Sequence, residues 1–263
     1  DTAGAIVGVA LMDEQPADPA RVKPAGPAGQ ARWWVQAASL GSRRGEALTA
    51  VVRHALGQAG WQPPRPEAVA VAVGPGYYTG LRVGLAVAKT LAWAWEVPLV
   101  GVGTLEAQAW PALWGGRWVW SVMDAGHGEL FGALFRGLAA AQGRSAGMGS
   151  AAIPPDQAGR LLAEPVVPAA AMAGERWARQ VVQAVRGEAG AGERAGEPAD
   201  EPAGVQESLV VVGDGWQPWM DVLQAGGLAC VAWPAEDNPV GRVVAVARLG
   251  AAWLGRASCR ERV

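Results

Sequence analysis

Cysteine is nearly absent. The 263 residues hold two, Cys230 and Cys259, at a separation that fits neither a metal knuckle nor a redox pair. Histidine is equally scarce: His54 and His127 are the pair, far apart in sequence, so no metal site is expected. No apolar run approaches the roughly 20 residues of a membrane-spanning helix, and no leader or lipidation pattern is legible; a cytoplasmic location is the expectation. Neither charge dominates, with 22 basic against 24 acidic residues. A chain of this balance is not expected to hold nucleic acid by itself, because phosphate neutralisation dominates such binding. Arginine greatly outnumbers lysine, and alanine, glycine and tryptophan are abundant, which reads as a coding bias. Half the residues are apolar, enough for a globular fold with a proper core.

The chemistry-bearing patterns are thin as well. Gly143-Arg144-Ser145-Ala146-Gly147 matches the G-x-S-x-G elbow, but no strand leads into it. The hydrolase order also needs a histidine after the serine, and none follows His127. No pair of acids, no nucleophile with a base and no metal cluster is found. Catalytic residues: none are expected.

One stretch is rich in information. Val69 to Val73 is an apolar run of strand length; Gly74, Pro75 and Gly76 interrupt it. Thr79 is placed to cap a helix, and from Gly80 onward Leu81, Leu85, Ala88 and Ala92 share one face. The pattern is strand, glycine loop, helix. Loop amides at a helix start can hold an anion; a sharp strand-to-helix turn needs the same glycines for backbone reasons alone. Both readings stand. Gly74, Gly76 and Gly80 are one residue too widely spaced for a dinucleotide fingerprint, and Lys89-Thr90 follows Ala88 inside the helix, so it is no P-loop. Gly80, Gly84, Ala88 and Ala92 recur every four residues, a shallow ridge for a closely packed sheet or helix.

Around this stretch the chain alternates strands and helices. Strands are expected over 5–12, 32–40, 98–102, 117–123, 129–135 and 208–212. Helices are expected over 45–60, with Leu48, Val51, Val52, Leu56 and Ala59 on an apolar face, from Thr104 to about Leu113, over 155–162 and 174–185, and from Asn238 to about Leu254. A helix bearing Trp216 and Trp219 is expected after the Gly213-Asp214-Gly215 turn. Asp124 is expected to bond its own turn amides, and Glu106 to sit near a positive helix end. The segment 187–204, rich in Gly, Ala, Glu and Pro, reads as a loop. The small-residue helix and the neighbour over 45–60 together suggest a helix-to-helix interface: Leu48, Val52, Gly80, Gly84, Ala88 and Ala92.

The run GPGYYTGLRVGLAVAKTLA, followed by VPLVGVGTLEAQA, resembles the signature of the bacterial TsaB (YeaZ) family. Asp1-Thr2-Ala3 resembles the end of that family's first strand; Arg44-Gly45-Glu46-Ala47-Leu48 stands where relatives show His-Ser-Glu-x-Leu. Asp124-Ala125-Gly126 and Val212-Gly213-Asp214-Gly215 resemble two further family segments. The resemblance implies an α/β actin-like ATPase fold of the Hsp70 and sugar-kinase type, with two ribonuclease-H-like lobes. It puts 1–106 and a returning helix over 238–254 in the first lobe and 107–237 in the second. The charged ending 255–263 reads as a non-native tail.

The resemblance also implies a function. The chain is expected to be a non-catalytic subunit in making N6-threonylcarbamoyladenosine at tRNA position 37, pairing with TsaD and supporting the TsaE ATPase. ATP and a metal belong to those partners, tRNA is reached through the complex, and a homodimer is an option for the chain alone. The alternative is a standalone ATP-dependent enzyme, with Asp1, Gly76 and Asp214 around a nucleotide, or a peptidase of the M22 type. For a bound nucleotide the candidates are Gly74, Gly76, Thr79, Gly213 and Asp214.

Overall fold

The computed structural model describes residues 6–13, 32–39, 44–60, 66–113, 117–137, 165–192, 208–233 and 239–256. The chain divides into two compact units, the first built from residues up to 107 and the last helix, the second from 108 to 137 and 165 to 233 among the described residues.

In the first unit, β1 (Ile6–Asp13) and β2 (Arg32–Ser39) form an antiparallel pair, with Ile6 opposite Ser39 and Asp13 opposite Arg32. α1 (Arg44–Ala59) lies on this pair. β3 (Val69–Gly74) and β4 (Leu99–Gly103) run parallel, Val69 opposite Leu99, joined by α2 (Tyr78–Trp95). α2 ends where Glu96 enters the left-handed region and its amide closes on the Ala92 and Trp93 carbonyls, which satisfies carbonyls the last turn would leave open. After β4, α3 (Thr104–Ala109) runs on into a short 3-10 turn. The last helix, α6 (Pro239–Arg256), packs on all four strands. It comes so close to β1 that a Cβ on Gly8 would overlap the Val243 side chain, and a Cβ on Gly250 would lie 2.5 Å from that of Ala70 on β3. Glycine at both points is a packing requirement, since real Cβ atoms do not approach so closely.

The second unit is one five-stranded mixed sheet in the order β7-β6-β5-β8-β9, formed by β5 (Trp118–Gly126), β6 (Glu129–Arg136), β7 (Val167–Ala173), β8 (Ser208–Gly213) and β9 (Ala229–Trp233). β5 pairs antiparallel with β6 and parallel with β8. α4 (Gly174–Gly192) covers it, helped by the short α5 (Met220–Ala225). Its core holds Trp118, Trp120, Trp177, Leu130, Leu134, Leu209 and Leu223, all buried. Gly132 makes room for two of those indoles: a Cβ there would sit 2.8 Å from the Trp177 ring and 3.0 Å from Trp120 Nε1. The rings stand 6.3 Å apart and tilted by 39°, a favourable aromatic geometry. The Trp177 indole N–H donates to the Leu130 carbonyl at 3.2 Å.

Several sequence expectations change. Thr79 is not the cap: the helix starts at Tyr78, the cap position is Tyr77, and no side chain bonds there. The backbone turns two residues before Thr79, which leaves that hydroxyl in the first turn and exposed. Thr104 opens α3, yet its hydroxyl is fully buried with no hydrogen-bond partner. α4 continues to Gly192, so 187–192, expected in a loop, is helical, and 193–204 lies outside the described residues. Trp216 precedes a 3-10 turn over Gln217–Trp219 instead of riding on a helix. β7 and β9 were not anticipated, since β7 is mostly alanine and β9 has five residues. The helix expected over 155–162 lies outside the described residues, as do Asp1 and 257–263.

Candidate functional site

The glycine loop of the first unit leaves the C-terminal end of β3 beside that of β4, with Gly74 paired to Gly103. This is where α/β sheets commonly bind ligands. Gly74 has φ +119°, a conformation that side chains resist, and Leu81 Cδ1 lies 3.4 Å from where its Cβ would be. Pro75 and Gly76 are half-buried, whereas Tyr77, Tyr78 and Thr79 are exposed. The Tyr77 carbonyl is taken by the Leu81 amide at 2.9 Å. One side chain at this end drew only a helix-dipole reading from the sequence. Glu106 leans over Gly103, its Oε2 3.7 Å from a Cβ placed there, and burial pushes its carboxyl above the ordinary value. A half-buried carboxyl beside the glycine strand ends disfavours an anion there.

The second glycine loop, at the end of β8, is filled by the protein itself. Gly213 has φ +111°, and a Cβ on it would collide with the Val122 carbonyl and the Gln108 amide. Gln108 is buried, and its Nε2 donates to the carbonyls of Val122 and Val212, both at 2.9 Å. That one amide ties the ends of the parallel strands β5 and β8 together. Asp214 and Asp124 are brought together, but as turn-formers. Asp214 Oδ1 accepts from the Asp124 amide at 2.8 Å, and Asp124 Oδ1 accepts from the Gly126 amide at 2.7 Å. Gly215, with φ +81°, has room for no side chain: Asp124 Cβ is 3.0 Å and Leu130 Cδ2 2.9 Å away. Gly126, His127 and Gly128 all have positive φ, as a tight turn demands. Gln108 was missed because nothing in sequence marks a glutamine that joins one strand end 14 positions away to another 104 positions away.

No group of three His, Cys, Asp or Glu suited to a metal occurs among the described residues. His54 and His127 are both exposed. Cys230 is half-buried, its thiol pushed up by burial.

The residues of the expected helix interface are mostly buried within the first unit. Gly80, Gly84, Ala88 and Ala92 are the buried face of α2, and Leu48 of α1 is buried, with Val52 half-buried. The small-residue ridge packs inside the unit, where α2 meets β3 and α1. The outward face of α2 carries Tyr78, Arg82, Lys89 and Trp93, with Tyr78 73% and Trp93 82% exposed. The Arg82 guanidinium lies 5.2 Å from the Tyr78 ring centre and donates to its hydroxyl at 3.2 Å.

Known proteins share parts of this chain. A family profile described as TsaD: tRNA N6-adenosine threonylcarbamoyltransferase matches residues 42–173. The tRNA threonylcarbamoyladenosine biosynthesis protein TsaB of Bacillus subtilis is 37% identical over 68 residues, 26% of this chain and 30% of that protein. The tRNA N6-adenosine threonylcarbamoyltransferase of Thermomicrobium roseum is 48% identical over 68 residues, 26% of this chain and 19% of that enzyme. The chain thus spans less than a third of the length of these curated relatives. Among solved structures, YeaZ from Pseudomonas aeruginosa superposes with a TM-score of 0.58 over 97% of this chain and 90% of that one, at 19% identity. At that identity the likeness is one of fold. No described helix is long and apolar enough to cross a membrane.

Proposed function

From the premise that this chain belongs to the TsaB (YeaZ) family of TsaD-type proteins, with their actin-like α/β fold, we propose that it is a subunit without chemistry of its own in tRNA threonylcarbamoyladenosine biosynthesis. It pairs with a TsaD-type transferase and supports the TsaE ATPase. Nucleotide, metal and tRNA are handled by or through those partners.

The observation that carries the non-catalytic half of this reading is the Gln108 amide. It occupies the approach to Gly213, and the neighbouring carboxylates of Asp124 and Asp214 are engaged by backbone amides. Groups committed to holding strand ends are poorly placed to bind a phosphate or activate water. Pairing is proposed through the α1–α2 region. Within it the outward face of α2 is the part open to a partner, and Trp93 has the character of an interface anchor.

The test uses the purified chain with and without a TsaD-type protein and TsaE. The expected outcome is no ATP hydrolysis and no casein cleavage by the chain alone, co-elution with the TsaD-type protein, and, with threonylcarbamoyl-adenylate, ATP and tRNA supplied, threonylcarbamoyl transfer from the adenylate to tRNA with release of AMP only in the mixture. Magnesium-dependent turnover by the chain alone would support the standalone-enzyme reading instead.

A further inference from the structure

The five-stranded sheet of the second unit ends in two unlike edges. β7 is blunted: Pro168 stands exposed in the strand, and the ladder to β6 shifts register between Gly132 and Leu134. Proline and irregular pairing keep an edge from taking another strand. β9 has neither. It reads Ala229-Cys230-Val231-Ala232-Trp233, without charge or proline, and pairs with β8 residue for residue over its whole length. β8 is its one ladder partner among the described residues. Val231 is 54% exposed and Trp233 36%, with Ala232 exposed between them. An open, regular, apolar edge is a template for a further strand. The two faces of β9 also differ. Cys230, the ladder partner of Leu209, packs against the core on the α4 side. By alternation Ala229, Val231 and Trp233 lie on the opposite face.

We infer that β9 is a self-association edge, where a second copy of this chain adds its own β9, antiparallel, about a twofold axis at Val231. The strand's own residues select that occupant. Val231 is the middle of the five, so centring the axis there overlaps the whole strand. Val231 then faces its counterpart, and Trp233 of each copy faces Ala229 of the other. Large meets small on one face, apolar meets apolar, and no like charges are opposed; cross-strand pairs of this kind stabilise a ladder. Main-chain hydrogen bonds supply the rest. The blunted β7 edge offers no second place to add a strand, so the pairing closes at two copies and does not run on into a filament. Five residues a side make a small contact, which puts the association in the micromolar range or weaker. This inference does not depend on the tRNA-modification reading.

Sedimentation velocity of the full chain, run from about 1 to 300 μM to bracket a weak interface, should show monomer passing into dimer and nothing larger. Val231→Lys sets two like charges opposite each other. It should weaken the dimer by about tenfold or more and leave the melting temperature of dilute protein unchanged. Cross-linking reads the register. In a Cys230→Ala, Cys259→Ala background, oxidised glutathione should join Val231→Cys copies through a disulfide. It should not join Ala229→Cys copies, which this register holds about 14 Å apart. Exchange of the β9 amides that point away from β8 should slow between dilute and concentrated protein. Monomer throughout, a dimer that Val231→Lys leaves intact, or cross-linking at Ala229 as readily as at Val231 would overturn the inference. So would a dimer lost in Trp93→Ala, which would place the contact on α2. Every β9 amide protected in dilute monomer would overturn it too, because the edge would then be covered within the chain.

Discussion

Three single residues carry more than their sequence context suggests. Gln108 holds two strand ends with one amide, so Gln108→Leu strands the Val122 and Val212 carbonyls. Losing buried hydrogen bonds of this kind costs about 1–3 kcal/mol, and a denaturant midpoint that falls without a change in slope would register it. Gly213→Ala should cost at least as much, because the Cβ meets the Val122 carbonyl in a conformation alanine avoids. Glu106 sets a pH dependence. Burial raises its folded pKa above the ordinary 4.5, so between those two values the folded form binds the extra proton, and its contribution weakens as pH climbs. Glu106→Gln should therefore gain stability over the parent at neutral pH, with the gain vanishing below the ordinary carboxyl range; a gain that persisted at low pH would contradict the assignment. The glycines were legible from the sequence as loop residues, but the reason for Gly213, a glutamine from elsewhere in the fold, was not.

At the scale of elements, the chain's periodicity located its long helices and apolar strands. β3 and β8 each run one residue past their expected ends, and α2 starts two residues before Gly80. Local chemistry did less well. Thr79 and Thr104 carry capping side chains, yet neither caps, since the backbone path and burial decide where the hydroxyl goes. The ridge of small residues on α2 was correctly legible as a close-packing surface, but spacing cannot say which neighbour packs there. That has a measurable consequence. Gly84→Leu or Ala88→Leu overpacks the inside of the unit and should cost about 1–3 kcal/mol, so the fold is affected before any partner is. Trp93→Ala, on the outward face, should leave the melting temperature within about a degree and lower affinity for a TsaD-type partner by tenfold or more. A Trp93→Ala protein that pairs normally would move the pairing surface off α2.

The whole molecule has two cores with separate memberships. Gly8→Ala pushes a methyl group into Val243, and Gly132→Ala pushes one into the Trp120–Trp177 pair. Each should lower one unfolding transition, with tryptophan emission following the second most closely, because Trp118, Trp120 and Trp177 are all fully buried there. Calorimetry that showed both substitutions moving one indivisible transition would contradict two independent units. The contact between α6 and the first strands also imposes an order on synthesis. A ribosome releases β1 to β4 early, but their covering helix is among the last residues it makes. The residues of the second unit lie between those pieces in sequence. That unit can close while the first still awaits its final helix, and nascent chains stalled before residue 239 would present incomplete apolar strands to chaperones.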